Sequence, residues 1–266
     1  AIRTGRVQSP FDAVVIDEVQ DLKPQEIRFL AVLAAKNPGN LMLIGDAGQR
    51  IYPGGYSLRS LGIDVRGRSR VLRINYRTTE QIRRFADRIL PESLDDLDGG
   101  TETRKETKSL LKGPAPTLRG FTTAKEQDAF VVDQIRRLLG QGLQPREIAV
   151  FARIGSRLES LQKVLADAGI FSQLLSRDED SAQSDGIQLG TMHRAKGLEY
   201  KVVFSYDCSE GVVPHMTALR RCKDPADYDA ARAREQQLLY VTLTRARDEV
   251  FIMWVGLPSP FLPDKQ

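Results

Sequence analysis

A short, wholly apolar run, Ala13-Val14-Val15-Ile16, stops abruptly at two carboxylates, Asp17 and Glu18. A strand that is apolar on both faces must be buried on both, which is the mark of a parallel sheet with helices packed on its two sides. The next segment agrees. From Pro24 to Ala35, Ile27, Leu30, Ala31 and Ala34 recur at i, i+3, i+4 and i+7, with Pro in the first turn, which predicts an amphipathic helix. The alternation repeats along the chain, with strands expected at 41–44, 71–74, 117–121, 147–151, 187–190, 201–206 and 249–255. Helices are expected at 79–90, 124–139, 156–168 and 225–245. The predicted class is therefore α/β. One stretch breaks the rhythm. Residues 91–116 open on Pro91, hold Glu92, Asp95, Asp96, Asp98 and Gly99-Gly100, and close on Pro114-Ala115-Pro116. They read as a mobile surface loop or linker.

Composition narrows the classes. With 41% hydrophobic and 28% charged residues in 266, the chain has the material for a core and is not disordered. Its apolar runs reach five or six residues, far short of the ~20 that span a membrane. Two cysteines exclude a disulfide scaffold and suit a reducing, cytoplasmic setting. The gaps around Cys208, His215 and Cys222 do not match a zinc signature. A net charge of +4 permits a nucleic-acid partner without arguing for one. No signal-peptide core follows the opening Ala-Ile-Arg-Thr-Gly-Arg, and a start on Ala points to an excised or processed chain.

The chemistry sits where apolar strands end. Asp17 and Glu18 fall at the carboxyl edge of a parallel sheet, where ligands of open α/β folds bind. In nucleotide hydrolysis a carboxylate there holds Mg²⁺, usually through water, and its neighbour orients or deprotonates the attacking water. An acidic cap on the following helix would give the same residues. The run 41–44 behaves alike and leads into Gly45-Asp46-Ala47-Gly48-Gln49-Arg50-Ile51-Tyr52. Glycine lets that backbone turn tightly, and Gln49 could sense a terminal phosphate. Asp46 reads as structural.

Taken together these residues resemble motifs of the UvrD/Rep-like branch of superfamily 1 helicases. Asp-Glu-x-Gln-Asp at 17–21 looks like motif II and Gly-Asp-x-x-Gln-x-Ile-Tyr at 45–52 like motif III. Leu72-Arg73-Ile74-Asn75-Tyr76-Arg77-Thr78 looks like motif IV, Gly190 to Tyr200 like motif V, and Glu235 to Arg247 like motif VI. Five motifs in order cover nearly the whole chain. The resemblance implies RecA-like lobes that close around ATP and Mg²⁺, the tail of the first lobe at 1–75 and a near-complete second at 76–266. It implies Asp17 for Mg²⁺, Glu18 as catalytic base, and Gln49, Arg77 and Arg245 at the γ-phosphate. Tyr76 would stack on adenine and Glu199 would bind the ribose. Thr191 and His193 would lie near a single strand, most simply DNA. His193 could equally be a satisfied buried histidine, and Tyr240 reads as core.

Three departures temper the match. No glycine is followed by Lys, so the phosphate loop G-x-x-x-x-G-K-[ST] is absent. The chain is then expected to be the C-terminal part of a longer helicase, inactive alone, whose first partner is the missing N-terminal part of the same polypeptide. The aromatic-Arg-Gly-Ala run that usually follows motif III is replaced by Pro53-Gly54-Gly55-Tyr56-Ser57. Tyr52 and Tyr56 are the remaining aromatic candidates for a base contact there. The stretch 78–190 is too short for a large inserted subdomain. The reading is the motor portion of an ATP-dependent helicase or translocase. Its rival is an interaction module that kept the fold and lost catalysis.

Overall fold

The computed structural model describes residues 9–34, 40–51, 56–65, 67–91, 94–95, 101–102, 106–176 and 185–263. Two compact units divide it: Ala1–Leu72 with Glu92–Lys105, and Arg73–Pro91 with Glu106–Gln266. The first unit thus ends three residues before the sequence boundary at 75 and takes in part of the 91–116 stretch.

In the first unit, β1 (Val14–Ile16) and β2 (Leu41–Leu43) pair in parallel, Val14 opposite Leu41 and Ile16 opposite Leu43. Helix α1 (Pro24–Leu33) connects them. Ile16, Val19, Ile27 and Leu58 are its buried core, with Leu30, Leu41 and Leu43 packed against it. Alternation turns Val15 and Met42 to the other face, where both are exposed. An antiparallel pair, β4 (Leu94–Asp95) and β5 (Thr101–Glu102), also belongs to this unit.

The second unit begins with β3 (Ile74–Thr79) and α2 (Glu80–Asp87). Here the structure differs from the sequence reading, which placed the strand at 71–74. Val71 and Leu72 are exposed, at 51% and 87%. The strand instead continues through Asn75-Tyr76-Arg77-Thr78, because β6 (Lys108–Leu111) pairs with it in parallel from Ile74 onward. Strand β6 lies inside the segment read as a loop.

The main sheet comprises β7 (Thr117–Phe121), β8 (Ile148–Ala152), β9 (Ser172–Leu174), β10 (Ile187–Thr191), β11 (Tyr200–Tyr206) and β12 (Ala246–Val255). It is parallel throughout, in the spatial order β7-β12-β11-β8-β10-β9. Its helices are α3 (Ala124–Gly140), α4 (Gly155–Asp167), the short α5 (Met216–Arg220) and α6 (Pro225–Leu243). Central β8 is fully buried at every residue, as a strand covered on both faces must be. Val131, Ile135 and Leu138 of α3 and Leu158, Leu161 and Leu165 of α4 close one side of the core, each worth ~1.5–3 kcal/mol of burial. Helix α3 starts with a capping box: Thr123 Oγ1 accepts from the Glu126 N–H and Glu126 Oε2 from that of Thr123. Helix α6 starts at Pro225 behind Asp224, whose carboxylate accepts from Asp227 N. Its last turns, Leu238 to Leu243, are buried all round, so Tyr240 is a core residue.

Candidate functional site

In the first unit the two strand ends are tied together. Ile44 N donates to Ile16 O at 2.8 Å and Val19 N to Ile44 O at 3.0 Å. This sets the loops after β1 and β2 side by side. Glu18 turns the chain in the left-handed region, φ 51°, and its N–H donates to Asp17 Oδ1 at 2.8 Å. Gln20 Nε2 donates to Glu18 Oε2 at 2.5 Å, and Gln20 Oε1 accepts from Asp46 N at 3.1 Å. Asp46 in turn accepts from Gly48 N at 2.8 Å and from Gln49 Nε2 at 2.9 Å. Asp17, Glu18 and Gln49 are thus linked through Gln20 and Asp46, and the Asp46 carboxylate caps the turn that carries Gln49. Tyr56 donates its hydroxyl to Val19 O at 2.5 Å and packs its ring against the unit's core, with the Arg50 guanidinium 5.7 Å from the ring centre. Burial raises its pKa, Arg50 opposing. Tyr52 lies outside the described residues.

In the second unit, Tyr76 and Arg77 stand on a bulge. The Asn75 carboxamide oxygen accepts from Arg77 N at 2.7 Å and Thr78 N at 3.2 Å, and the register with β6 shifts between Asn75 and Thr79. Such a bulge re-aims side chains, and Tyr76 is left 69% exposed. Arg77 Nε donates to Glu199 Oε2 at 2.8 Å, both side chains about half exposed. Glu199 immediately precedes β11 and Arg245 immediately precedes β12. Tyr200 pairs with Ala246, and Tyr200 N donates to Arg245 O at 2.9 Å. The candidate residues Arg77, Glu199 and Arg245 therefore gather at the amino end of two paired strands. The Arg245 side chain is 2% exposed and donates to Val241 O at 3.1 Å.

Thr191 and His193 lie at the opposite end of the sheet. Thr191 ends β10, and His193 sits in a 3-10 turn, Met192–Ala195, that packs against α6. Beside them lies an ion pair that sequence reasoning missed. Arg153, just past β8, makes a two-pronged contact with Glu235 of α6 at 2.7 and 2.9 Å, and Glu235 also accepts from His215 N at 2.9 Å. The pair is 14% and 7% exposed. Burial holds the His193 imidazole below its ordinary pKa; Arg153 pushes the same way and Glu235 opposes. A second pair, Arg157–Asp207 at 2.8 Å, sits past the end of β11, with Asp207 at φ 59°. Glu235 stood within the motif VI run but carried no assigned role, and nothing in the sequence joins it to Arg153.

Among the described residues no group of three or more His, Cys, Asp or Glu is gathered to hold a metal ion. Two adjacent carboxylates suit Mg²⁺ all the same, because that ion is commonly held by one or two carboxylates, with phosphate and water oxygens completing its shell. No helix among the described residues is long and apolar enough to cross a membrane.

Comparison with known proteins places the chain in a family. The chain is 24% identical to the ATP-dependent DNA helicase UvrD2 of Mycobacterium bovis, over 95% of this chain and 49% of that protein. The alignment runs to 348 residues, longer than this chain, so the relative carries inserted residues that are absent here. DNA helicase IV of Escherichia coli is 26% identical over 98% of this chain and 36% of its own length. The chain spans about half the length or less of these relatives. A crystal structure of the C-terminal domain of a possible DNA helicase from Lactobacillus plantarun is 22% identical, with a TM-score of 0.49, over 71% of this chain and 92% of that one. The model of the UvrD/REP helicase N-terminal domain matches residues 3–53, and that of the UvrD-like helicase C-terminal domain matches 70–177 and 171–256. The chain belongs to the UvrD-like helicases.

Proposed function

We propose that this chain is the C-terminal motor portion of an ATP-dependent, superfamily 1 DNA helicase or translocase with RecA-like lobes, coupling ATP hydrolysis to movement on single-stranded DNA. One observation carries the reading. In the second unit Thr191 and His193 leave the carboxyl end of β10, while Glu199 enters the amino end of β11. The short segment between them links the strand candidates to the nucleotide candidates across the sheet.

The roles follow from the side chains. Asp17 would hold Mg²⁺, which when bound neutralises phosphate charge. Glu18 would accept the proton of the attacking water, and Gln49 would meet the terminal phosphate. Tyr76 offers an exposed ring for the adenine. Glu199 would accept from the ribose hydroxyls once Arg77 leaves it for phosphate. Arg245 is the second guanidinium, and to act it must release the Val241 carbonyl. Planar, permanently charged guanidinium suits this task, and an arginine of this kind is worth on the order of 10³–10⁵ in rate. Thr191, His193, Arg194 and Lys196 would grip the strand chiefly through its phosphates. The 266-residue chain alone is inactive in this reading, since no phosphate loop occurs in its sequence.

The test measures phosphate release from Mg²⁺-ATP with and without single-stranded DNA in the full-length polypeptide. Arg245→Ala should cut stimulated turnover by orders of magnitude while strand binding, followed by fluorescence anisotropy at two salt concentrations, persists. Near-normal turnover in that variant would refute the assignment, and full-length protein that binds strand without hydrolysing ATP would favour the interaction module.

A further inference from the structure

We infer that Gln20 is a positioning residue that fixes the Glu18 carboxylate for proton transfer and ties it to the Gln49 turn; this rests on the hydrolytic role proposed above for Glu18. Gln20 is 4% exposed. A buried carboxamide is costly unless its groups are hydrogen-bonded, and here both ends make specific bonds. Its Nε2 donates to Glu18 Oε2 at 2.5 Å, and its Oε1 accepts from Asp46 N at 3.1 Å.

The chemistry of the amide gives these bonds their direction. An NH₂ group only donates, so it can hold a carboxylate oxygen in place, and here it holds Glu18 Oε2. Its other end fixes the backbone of Asp46, whose carboxylate holds Gln49 Nε2 at 2.9 Å. Glu18, Gln20, Asp46 and Gln49 therefore form one relay from the proposed base to the proposed phosphate-sensing side chain. Glu18 sits at φ 51°, a conformation in which a non-glycine residue persists only when its surroundings hold it. Gln20 supplies that hold from two residues away. An apolar side chain could fill the same space, so packing alone does not require an amide here.

Two substitutions separate positioning from packing. Gln20→Glu keeps the shape and the acceptor for Asp46 N but replaces the donor with a second carboxylate. For DNA-stimulated ATP hydrolysis by the full-length polypeptide at pH 7, kcat of Gln20→Glu should fall on the order of 10-fold or more, since small misplacements of a reacting group are costly, while KM for ATP changes little. Gln20→Met removes both bonds and should lower kcat in the same way. In a Glu18→Gln background neither substitution should lower kcat further, because Gln20 acts through Glu18. Thermal melting confirms that each variant is folded. A folded Gln20→Glu or Gln20→Met protein with kcat within about twofold of wild type, or a further loss in the Glu18→Gln background, would overturn the inference while leaving the helicase reading intact. Wild-type protein without DNA-stimulated hydrolysis, or full activity in Glu18→Gln, would overturn both.

Discussion

Glu235→Ala should destabilise the second unit far more than any exposed ion-pair change. The carboxylate faces Arg153 through contacts of 2.7, 2.9 and 3.3 Å and also accepts from His215 N. At 14% and 7% exposure, water cannot replace the lost partner. Removing one member of a buried pair leaves the other charge uncompensated, at a cost of ~3–5 kcal/mol. For a unit of this size, Arg73–Pro91 with Glu106–Gln266, each kcal/mol moves Tm by ~2–4 °C, which predicts a fall of about 6–20 °C. The Arg77–Glu199 pair is an internal control. It has the same 2.8 Å class of contact, but its side chains are 48% and 46% exposed, so Glu199→Ala should cost only ~0–1 kcal/mol. Replacing both buried partners, Arg153→Met with Glu235→Leu, should recover most of the loss, because no orphaned charge remains. Urea unfolding with linear extrapolation and calorimetry would measure all three. A Glu235→Ala cost no greater than that of Glu199→Ala would refute the argument from burial.

Three further outcomes follow from local geometry. The Glu80 carboxyl is held down to about 2, first by its bond to Arg83 and further by Ser109 N and Arg84, against its partial burial. Its folded pKa is depressed, so its stabilisation is complete above the usual carboxylate range and lost as pH falls through that lower value. Glu80→Gln should therefore cost ~1–3 kcal/mol at pH 7, a gap that holds down to about pH 5 and narrows steadily to pH 3 in urea titrations. Cys208 is fully buried beside Ser205 and its thiol is pushed up to about 12 by burial; Cys222 is partly accessible. Native protein at pH 8 should thus react with a thiol reagent once, and a second time only after unfolding. At Gly190 an added Cβ would come within 2.7 Å of Leu175 Cδ1 and 3.1 Å of the Phe151 ring. Gly190→Ala should therefore destabilise by ~1–3 kcal/mol, seen as an earlier thermal melt.

The main sheet was legible because buried parallel strands have no polar face to confuse the pattern. Residues 147–151 and 187–190 read as strands from their apolar pattern, and the structure has them at Ile148–Ala152 and Ile187–Thr191, within a residue of the reading. What was hidden depended on partners far away in sequence. Lys108–Leu111 is a strand only because Ile74 and Asn75 lie beside it, and Ser172–Leu174 is short and sits at the sheet edge. The same reason moved the strand near 71 onto Ile74–Thr79.

The candidate site divides along the same line. Residues that follow a strand announce themselves, because a charge or an amide directly after an apolar run has to stand at the rim of the sheet; Asp17 and Glu18 belong here, as does Gln49 a few residues beyond β2. Residues that act by holding others do not. Arg153 and Glu235 meet only once β8 and α6 are in place. Gln20 reaches Glu18 only because the chain turns through a left-handed residue between β1 and α1. Tyr56 shows the converse case. As a lone aromatic near motif III it invites a base-stacking role, yet its hydroxyl reaches Val19 O and its ring packs against the core. To stack on a base, the ring would have to give up both, so a role in strand binding would carry a folding cost that Tyr76, already 69% exposed, does not face. Exposure before ligand arrival, more than residue type, therefore separates an aromatic poised to bind from one that is occupied.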